Sequence, residues 1–172
     1  LHTGSIFIKE DGLKVFDPEF GILGPCGYDI GNVIANLIFA YDNGIAYGKK
    51  EFTDWILKSV EEVIDLFIEK YNKYYDEWVS EPMAMVEGFK EYYLDGILRD
   101  TAGFTGTELH RRTVGMANVT DVTTIEDEKK RLVAERINIL AGKEFILKAD
   151  SFKCGKDYVD TILKCKALAE EL

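Results

Sequence analysis

From Tyr28 onward the apolar residues fall into a helical period, and this constrains the fold more than any other feature of the sequence. Ile30, Val33, Ile34, Leu37, Ile38 and Tyr41 recur at i, i+3 and i+4, the spacing that lines one face of a helix. Asn43-Gly44 predicts the end of this first helix. A second, long helix is predicted from about Lys50 to Trp78, with Ile56, Val60, Val63 and Phe67 in its stripe. The aromatic run from Tyr71 to Trp78, at helical spacing, reads as core or dimer contact. Ser80 followed by Pro82 reads as an N-cap and early-helix proline, opening a third helix that ends at Thr101-Ala-Gly103. A fourth is expected from about Thr105 to Val119. A fifth is expected to run from a Thr124–Asp127 capping box to about Lys148, and a last from about Lys156 to Leu172.

Only the start of the chain reads as β. Ser5–Lys9 and Leu13–Phe16 alternate, and the Asp11-Gly12 between them favours a tight turn. Ile6, Ile8, Leu13 and Val15 are predicted to share a face. An isolated hairpin is marginal in water, so the helices are expected to cover it. The predicted fold is mainly α, with one N-terminal β-hairpin and no domain boundary within the chain.

Charge and composition exclude several functions. The 172 residues carry 21 Lys+Arg against 31 Asp+Glu, a net charge of -10, which leaves no basic stripe for nucleic acid or an anionic membrane. A hydrophobic content of 47% is too high for a disordered chain. No apolar run reaches the length of about 18 residues that a membrane span needs, and no signal peptide is expected. Cys26, Cys154 and Cys165 are an odd count without disulfide-framework density, which points to a reducing compartment. His2 and His110 lack zinc-site spacing; His110 reads as a surface or helix-packing residue. The chain starts at Leu1 without Met, and so reads as processed or as a piece of something longer.

The chemistry concentrates in the first 31 residues. Asp17-Pro-Glu19 sets two carboxylates at the end of the second strand, a pattern that suits Mg²⁺ with phosphate oxygens; Asp-Pro is equally a common strand terminator. Kinase-type phosphotransferases present their metal-binding Asp after such a hairpin, with a catalytic Asp before it and a metal-binding Asn five residues further on. Counting five back from Ser5 reaches the position immediately before Leu1. Cys26 has no base partner in the sequence, which speaks against a nucleophile. Further along, Arg111 and Arg112 are adjacent on a predicted helix and diverge by about 100°. One is expected to face a cleft and the other to fix a carboxylate or carbonyl. Guanidinium groups suit sugar hydroxyls and phosphoryl oxygens, although a solvated helix face would look the same.

Leu1-His-Thr-Gly-Ser-Ile6, Asp17-Pro-Glu-Phe20, Gly24-Pro-Cys-Gly-Tyr-Asp-Ile-Gly31 and Gly106-Thr-Glu-Leu-His-Arg-Arg-Thr-Val-Gly115 together resemble the methylthioribose kinase family. That family lies within the aminoglycoside-phosphotransferase and protein-kinase-like superfamily. The superfamily generally has Asn where Ser5 stands, so Thr-Gly-Ser with Asp-Pro-Glu narrows the match to the methylthioribose branch. The resemblance implies that residues 1–172 are the helical C-terminal lobe of a kinase-like fold, without the N-terminal ATP-binding lobe. It implies an ATP-dependent kinase of methionine salvage that phosphorylates S-methyl-5-thioribose to its 1-phosphate, is cytoplasmic, and is a homodimer at full length. Asp17, Pro18 and Glu19 would bind ATP, with Asp17 and Glu19 holding Mg²⁺, and Arg111 or Arg112 would bind the sugar. His2, Ser5 and Asp29 would support the catalytic loop, Asp29 as a buried aspartate. The catalytic Asp would lie just before Leu1, leaving this chain alone inactive. The alternatives are a related kinase for choline, homoserine or an aminoglycoside, and a helical binding module without phosphotransfer.

Overall fold

The apolar stripe beginning at Tyr28 forms the central helix of the molecule. The computed structural model describes residues 1–16, 21 and 23–172. Within them a 3-10 turn (Thr3–Ser5) leads into strands β1 (Ile6–Lys9) and β2 (Gly12–Val15). Helices α1 (Gly27–Ala46), α2 (Lys50–Trp78), α3 (Phe89–Thr113), α4 (Thr120–Thr123), α5 (Glu128–Leu147) and α6 (Gly155–Glu171) follow. The mainly α expectation holds. No helix among the described residues is long and apolar enough to cross a membrane, and all three cysteines are free.

Helix α1 packs against α2, α3, α4 and α5. Its Ile34, Ile38 and Phe39 are buried with Ile56, Val60 and Ile64 of α2, Leu98 and Leu109 of α3, and Phe145 of α5. Phe145, Phe152 and Tyr158 close the core with ring centroids 4.9 to 5.3 Å apart.

Four predicted boundaries move, each for an identifiable reason. α1 does not stop at Asn43-Gly44: Gly44 is buried where Thr53 of α2 crosses it, and the chain turns at Gly48 instead. Ser80-Pro82 opens only a 3-10 turn (Pro82–Met85); α3 begins after Gly88, whose φ of 81° is costly for a residue with a Cβ. Thr101-Ala-Gly103 does not end that helix, because Thr101, Ala102 and Thr105 are fully buried in the packing, with the two hydroxyls satisfied by the carbonyls of Ile97 and Thr101, each at 2.8 Å. The predicted third and fourth helices are therefore one. Thr124 does not cap α5; Asp127 does, accepting from the amides of Lys129 and Lys130 at 2.9 and 3.2 Å.

Further along the same helix, Gly106 serves as a contact surface. A Cβ on Gly106 would lie 2.5 Å from the carbonyl oxygen of Gly142, so α3 and α5 approach along their backbones. The hairpin has the predicted register, with Ile6 opposite Val15 and Ile8 opposite Leu13. The helices do not cover it, contrary to expectation: Ile8, Leu13 and Val15 are 77, 60 and 57% exposed. On its other face Phe7 stacks on Phe16 at 4.5 Å. Nor does the aromatic run of α2 enter the core. Tyr74 and Trp78 are exposed and stack on each other, while Tyr71 and Tyr75 donate to the carbonyls of Lys90 and Ala84.

One buried acid stands apart. Asp42 of α1 is buried, with neither carboxylate oxygen hydrogen-bonded among the described residues. Burial pushes its carboxyl well above the ordinary value of 3.8; Asn138 of α5 pulls it down and Asp121 adds to the rise. The folded value exceeds the unfolded one, so stability falls as pH rises from near 3.8 through the folded value.

Two stability measurements test this description. Gly106→Ala is expected to cost about 1–3 kcal/mol in chemical denaturation, because neither backbone can retreat without moving its helix. Asp42→Asn is expected to stabilise the chain by about 1–3 kcal/mol at neutral pH, with the gain vanishing in acid. A gain independent of pH would show that Asp42 is not the source.

Candidate functional site

The N-terminal segment meets the start of α1 at Asp29, and Tyr28 beside it packs on Phe104 of α3. The local fold of the first residues explains part of this. The Ser5 amide donates to the His2 carbonyl at 2.9 Å and closes the 3-10 turn, and the Phe16 amide donates to the Ser5 carbonyl at 3.1 Å. The hairpin is thereby tied to the turn. The buried Ser5 hydroxyl lies 3.1 Å from His2 Nε2, so two of the predicted support residues are in contact. Asp29 is not the buried aspartate expected. Its side chain is 60% exposed, and its carboxylate accepts from the main-chain nitrogen of Leu1. The contact still joins α1 to the first residues, but at the surface.

Close helix packing sets the position of Tyr28. A Cβ on Gly31 would lie 2.8 Å from the Thr101 carbonyl, and the Thr105 hydroxyl donates to the Gly31 carbonyl at 3.3 Å. With the backbones this near, the Tyr28 ring meets Phe104 edge-on at 5.1 Å.

The two arginines do not divide as their angular separation suggests. Both fix the same carboxylate. Arg111 donates from Nε and Nη2 to Glu108 Oε2 and Oε1 at 2.7 and 3.0 Å. Arg112 donates from Nε to Glu108 Oε1 at 2.8 Å, and from Nη1 to the Ala117 carbonyl at 3.3 Å. Spacings of three and four residues put all three side chains on one helical face despite the divergence of the arginines' Cβ atoms. Burial alone would raise the Glu108 carboxyl, yet the hydrogen bonds from Arg111 and Arg112 outweigh it and hold the group below the ordinary 4.5. In return, the hydrogen bond to Glu108 raises Arg111.

Glu108 is the residue of this cluster that residue-by-residue reading missed. Its signal was the interval of three and four residues from acid to arginine, already contained in the helix predicted from about Thr105. Asp17, Pro18 and Glu19 lie outside the described residues. Among the described residues no three His, Cys, Asp or Glu side chains group as a metal site. His110 is a packing residue, with Nε2 3.0 Å from the Ile139 carbonyl. Cys26 is exposed.

Fold and site define a mainly helical chain that carries a carboxylate-clamped arginine pair in the last turns of α3, a group suited to oxygen-rich ligands. No protein-family profile matches the chain. A methylthioribose kinase of Yersinia pseudotuberculosis is 36% identical over 154 residues, covering 87% of this chain and 38% of that protein. One from Geobacillus sp. is 34% identical over 157 residues (91% and 38%), and one from Bacillus pumilus 35% over 159 (92% and 39%). The chain belongs to the methylthioribose kinase family as a partial-length relative, spanning about 38% of the length of the curated relatives it matches.

The clamp has a pH signature. A lowered carboxyl contributes stability above its unfolded value of 4.5, and loses it as pH falls through the folded value. Glu108→Gln is therefore expected to destabilise by about 1–2 kcal/mol at neutral pH, solvent screening of Arg111 keeping the figure low. Thermal unfolding of the two forms should converge in acid; a constant gap would contradict the ionised pair.

Proposed function

We propose that this chain is the C-terminal, helical lobe of an ATP-dependent kinase that phosphorylates S-methyl-5-thioribose on its anomeric hydroxyl, in methionine salvage. The observation that carries the reading is the contact of Leu1 with Asp29 at the start of α1, beside Tyr28 packed on Phe104 of α3, in a chain related to methylthioribose kinases. It supports a site drawn from the first residues, α1 and α3.

In this reading Arg111 or Arg112 binds the sugar. Asp17 and Glu19 hold Mg²⁺ on the ATP phosphates, with Pro18 between them as part of the same ATP-binding element. Magnesium, when bound, neutralises charge developing on the transferred phosphoryl group. His2 and Ser5 brace the turn from which the catalytic loop enters, and Asp29 pins its main chain. The base that accepts the hydroxyl proton is an Asp immediately before Leu1, and the N-terminal ATP-binding lobe precedes it. The same reading makes the intact protein a cytoplasmic homodimer.

Phosphorus NMR on the intact protein with Mg-ATP and methylthioribose tests this, with choline, homoserine and an aminoglycoside as competing acceptors. The expected outcome is a 1-phosphate formed from methylthioribose alone. Turnover of another acceptor in preference would overturn the substrate. Asp17→Ala in the same protein is expected to abolish turnover with its thermal unfolding unchanged, since a lost metal carboxylate removes charge neutralisation rather than packing. Near-normal activity in that variant would remove Asp17 from the metal site.

A further inference from the structure

We infer that the cavity between the end of α1, the first turns of α2 and helix α6 binds a small carboxylic acid with an apolar body. Its carboxylate meets Tyr41 and Lys49, and its body lies against Leu57 and Leu163. The site is separate from the one described above. Tyr41 stands thirteen residues along α1 from Tyr28, about 20 Å at the helical rise of about 1.5 Å per residue.

Tyr41 is the group that points to a ligand. Only 3% of the residue is exposed, yet it lines this cavity, whose volume is about 300 Å³. Its hydroxyl has no hydrogen-bond partner among the described residues. The phenols of Tyr47, Tyr71 and Tyr75, all more exposed, each donate to a main-chain carbonyl. A buried hydroxyl left unpaired costs free energy, and an acceptor brought into the cavity recovers it. Burial, with Asp42, Glu170 and Asp54 adding to it, pushes the Tyr41 phenol up to about 12. At neutral pH it therefore keeps its proton and can donate it to an oxyanion.

The charges around the cavity set the sign and size of the ligand's charge. Lys50 is paired with Asp54 and Lys166 with Glu170, each at 2.7 Å, so these four groups cancel. Lys49 lies over the Tyr47 ring, 5.6 Å from its centroid, and has no ion-pair partner among the described residues. One uncompensated ammonium matches a monoanion and repels a cation. The rest of the lining includes Ile45, Leu57 and Leu163, which offer nothing to a bare ion but bury a hydrocarbon. A few polar groups on an otherwise apolar wall are the usual make-up of a small-molecule site. Here they select an acid head on an apolar body.

Leucine-methyl NMR on the intact protein, read at Leu57 and Leu163, tests the site with hexanoate as the probe. At constant ionic strength hexanoate is expected to shift both methyl signals along one saturating curve. Hexanamide lacks the charge and acetate lacks the body; each is expected to bind at least about tenfold more weakly. Tyr41→Phe and Lys49→Ala should weaken hexanoate by a similar factor. Because the Tyr41 hydroxyl holds nothing in the protein, Tyr41→Phe should unfold at the wild-type temperature without hexanoate, so that lost binding reports the site and not the fold. If that variant unfolds early, Lys49→Ala at the exposed rim decides the question instead. The proposal is overturned if neither leucine shows a saturable shift, if hexanamide binds as well as hexanoate, or if both variants bind as the wild type does. Shifts at these leucines from inorganic phosphate but not from hexanoate would overturn the ligand class.

Discussion

The near-contact of helix backbones along α1, α3 and α5 is the constraint on which the rest depends. Gly31 meets the Thr101 carbonyl, and Gly106 meets that of Gly142. Between them Ala102 and Ala141 are fully buried. Side chains this small contribute little apolar area each, but they let neighbouring larger residues reach across the gap. Close-packed interiors transmit such distances with little slack. The separation between Tyr28 on α1 and Arg111 on α3 is therefore set by glycines and threonines some way from either.

The same packing makes polar groups costly unless they are matched, and the chain contains both outcomes. Glu108 is buried at the edge of α3 with two guanidinium groups on its oxygens, and it stays ionised. Asp42 is buried deeper, where Asn138 stands nearby without a hydrogen bond, and it is driven towards the neutral acid. In a chain of net charge -10, the difference lies in local partners and not in overall balance.

Periodicity made most of the scaffold legible. The stripe from Ile30 to Tyr41 identified α1 as central, and α2 runs between the residues predicted for it, Lys50 and Trp78. Where reading failed, a rule about isolated helices was overridden by packing. Gly44 and Thr101-Ala-Gly103 are breakers in solvent, but they sit inside helices here: the Thr53 and Phe52 side chains of α2 close over Gly44, and Thr101 and Ala102 are fully buried. The hairpin failed in the other direction. Its alternation gave the register correctly but could not say what would lie on either face, since a two-residue period marks a potential core face without naming the partner. At the site, Arg111 and Arg112 were visible as residue types. Their shared partner was not singled out, although the helix predicted from about Thr105 already set Glu108 one turn before both arginines.

Placement on a helix has a consequence for how this chain can position charge. A guanidinium on a loop would follow the loop; one on a helix follows the helix axis, and here the axis is held by α1 and α5 together. The groups proposed to meet phosphate, Asp17 and Glu19, follow a hairpin whose faces are largely exposed. The arginine proposed to meet the sugar stands in the last turn of α3, with both its bonds to Glu108 made inside that helix. Discrimination between acceptors depends on small differences in hydroxyl position, and a rigid donor penalises a misplaced oxygen more than a mobile one does. The carboxylate clamp thus supplies rigidity at the residue whose precision would matter most for choosing the substrate.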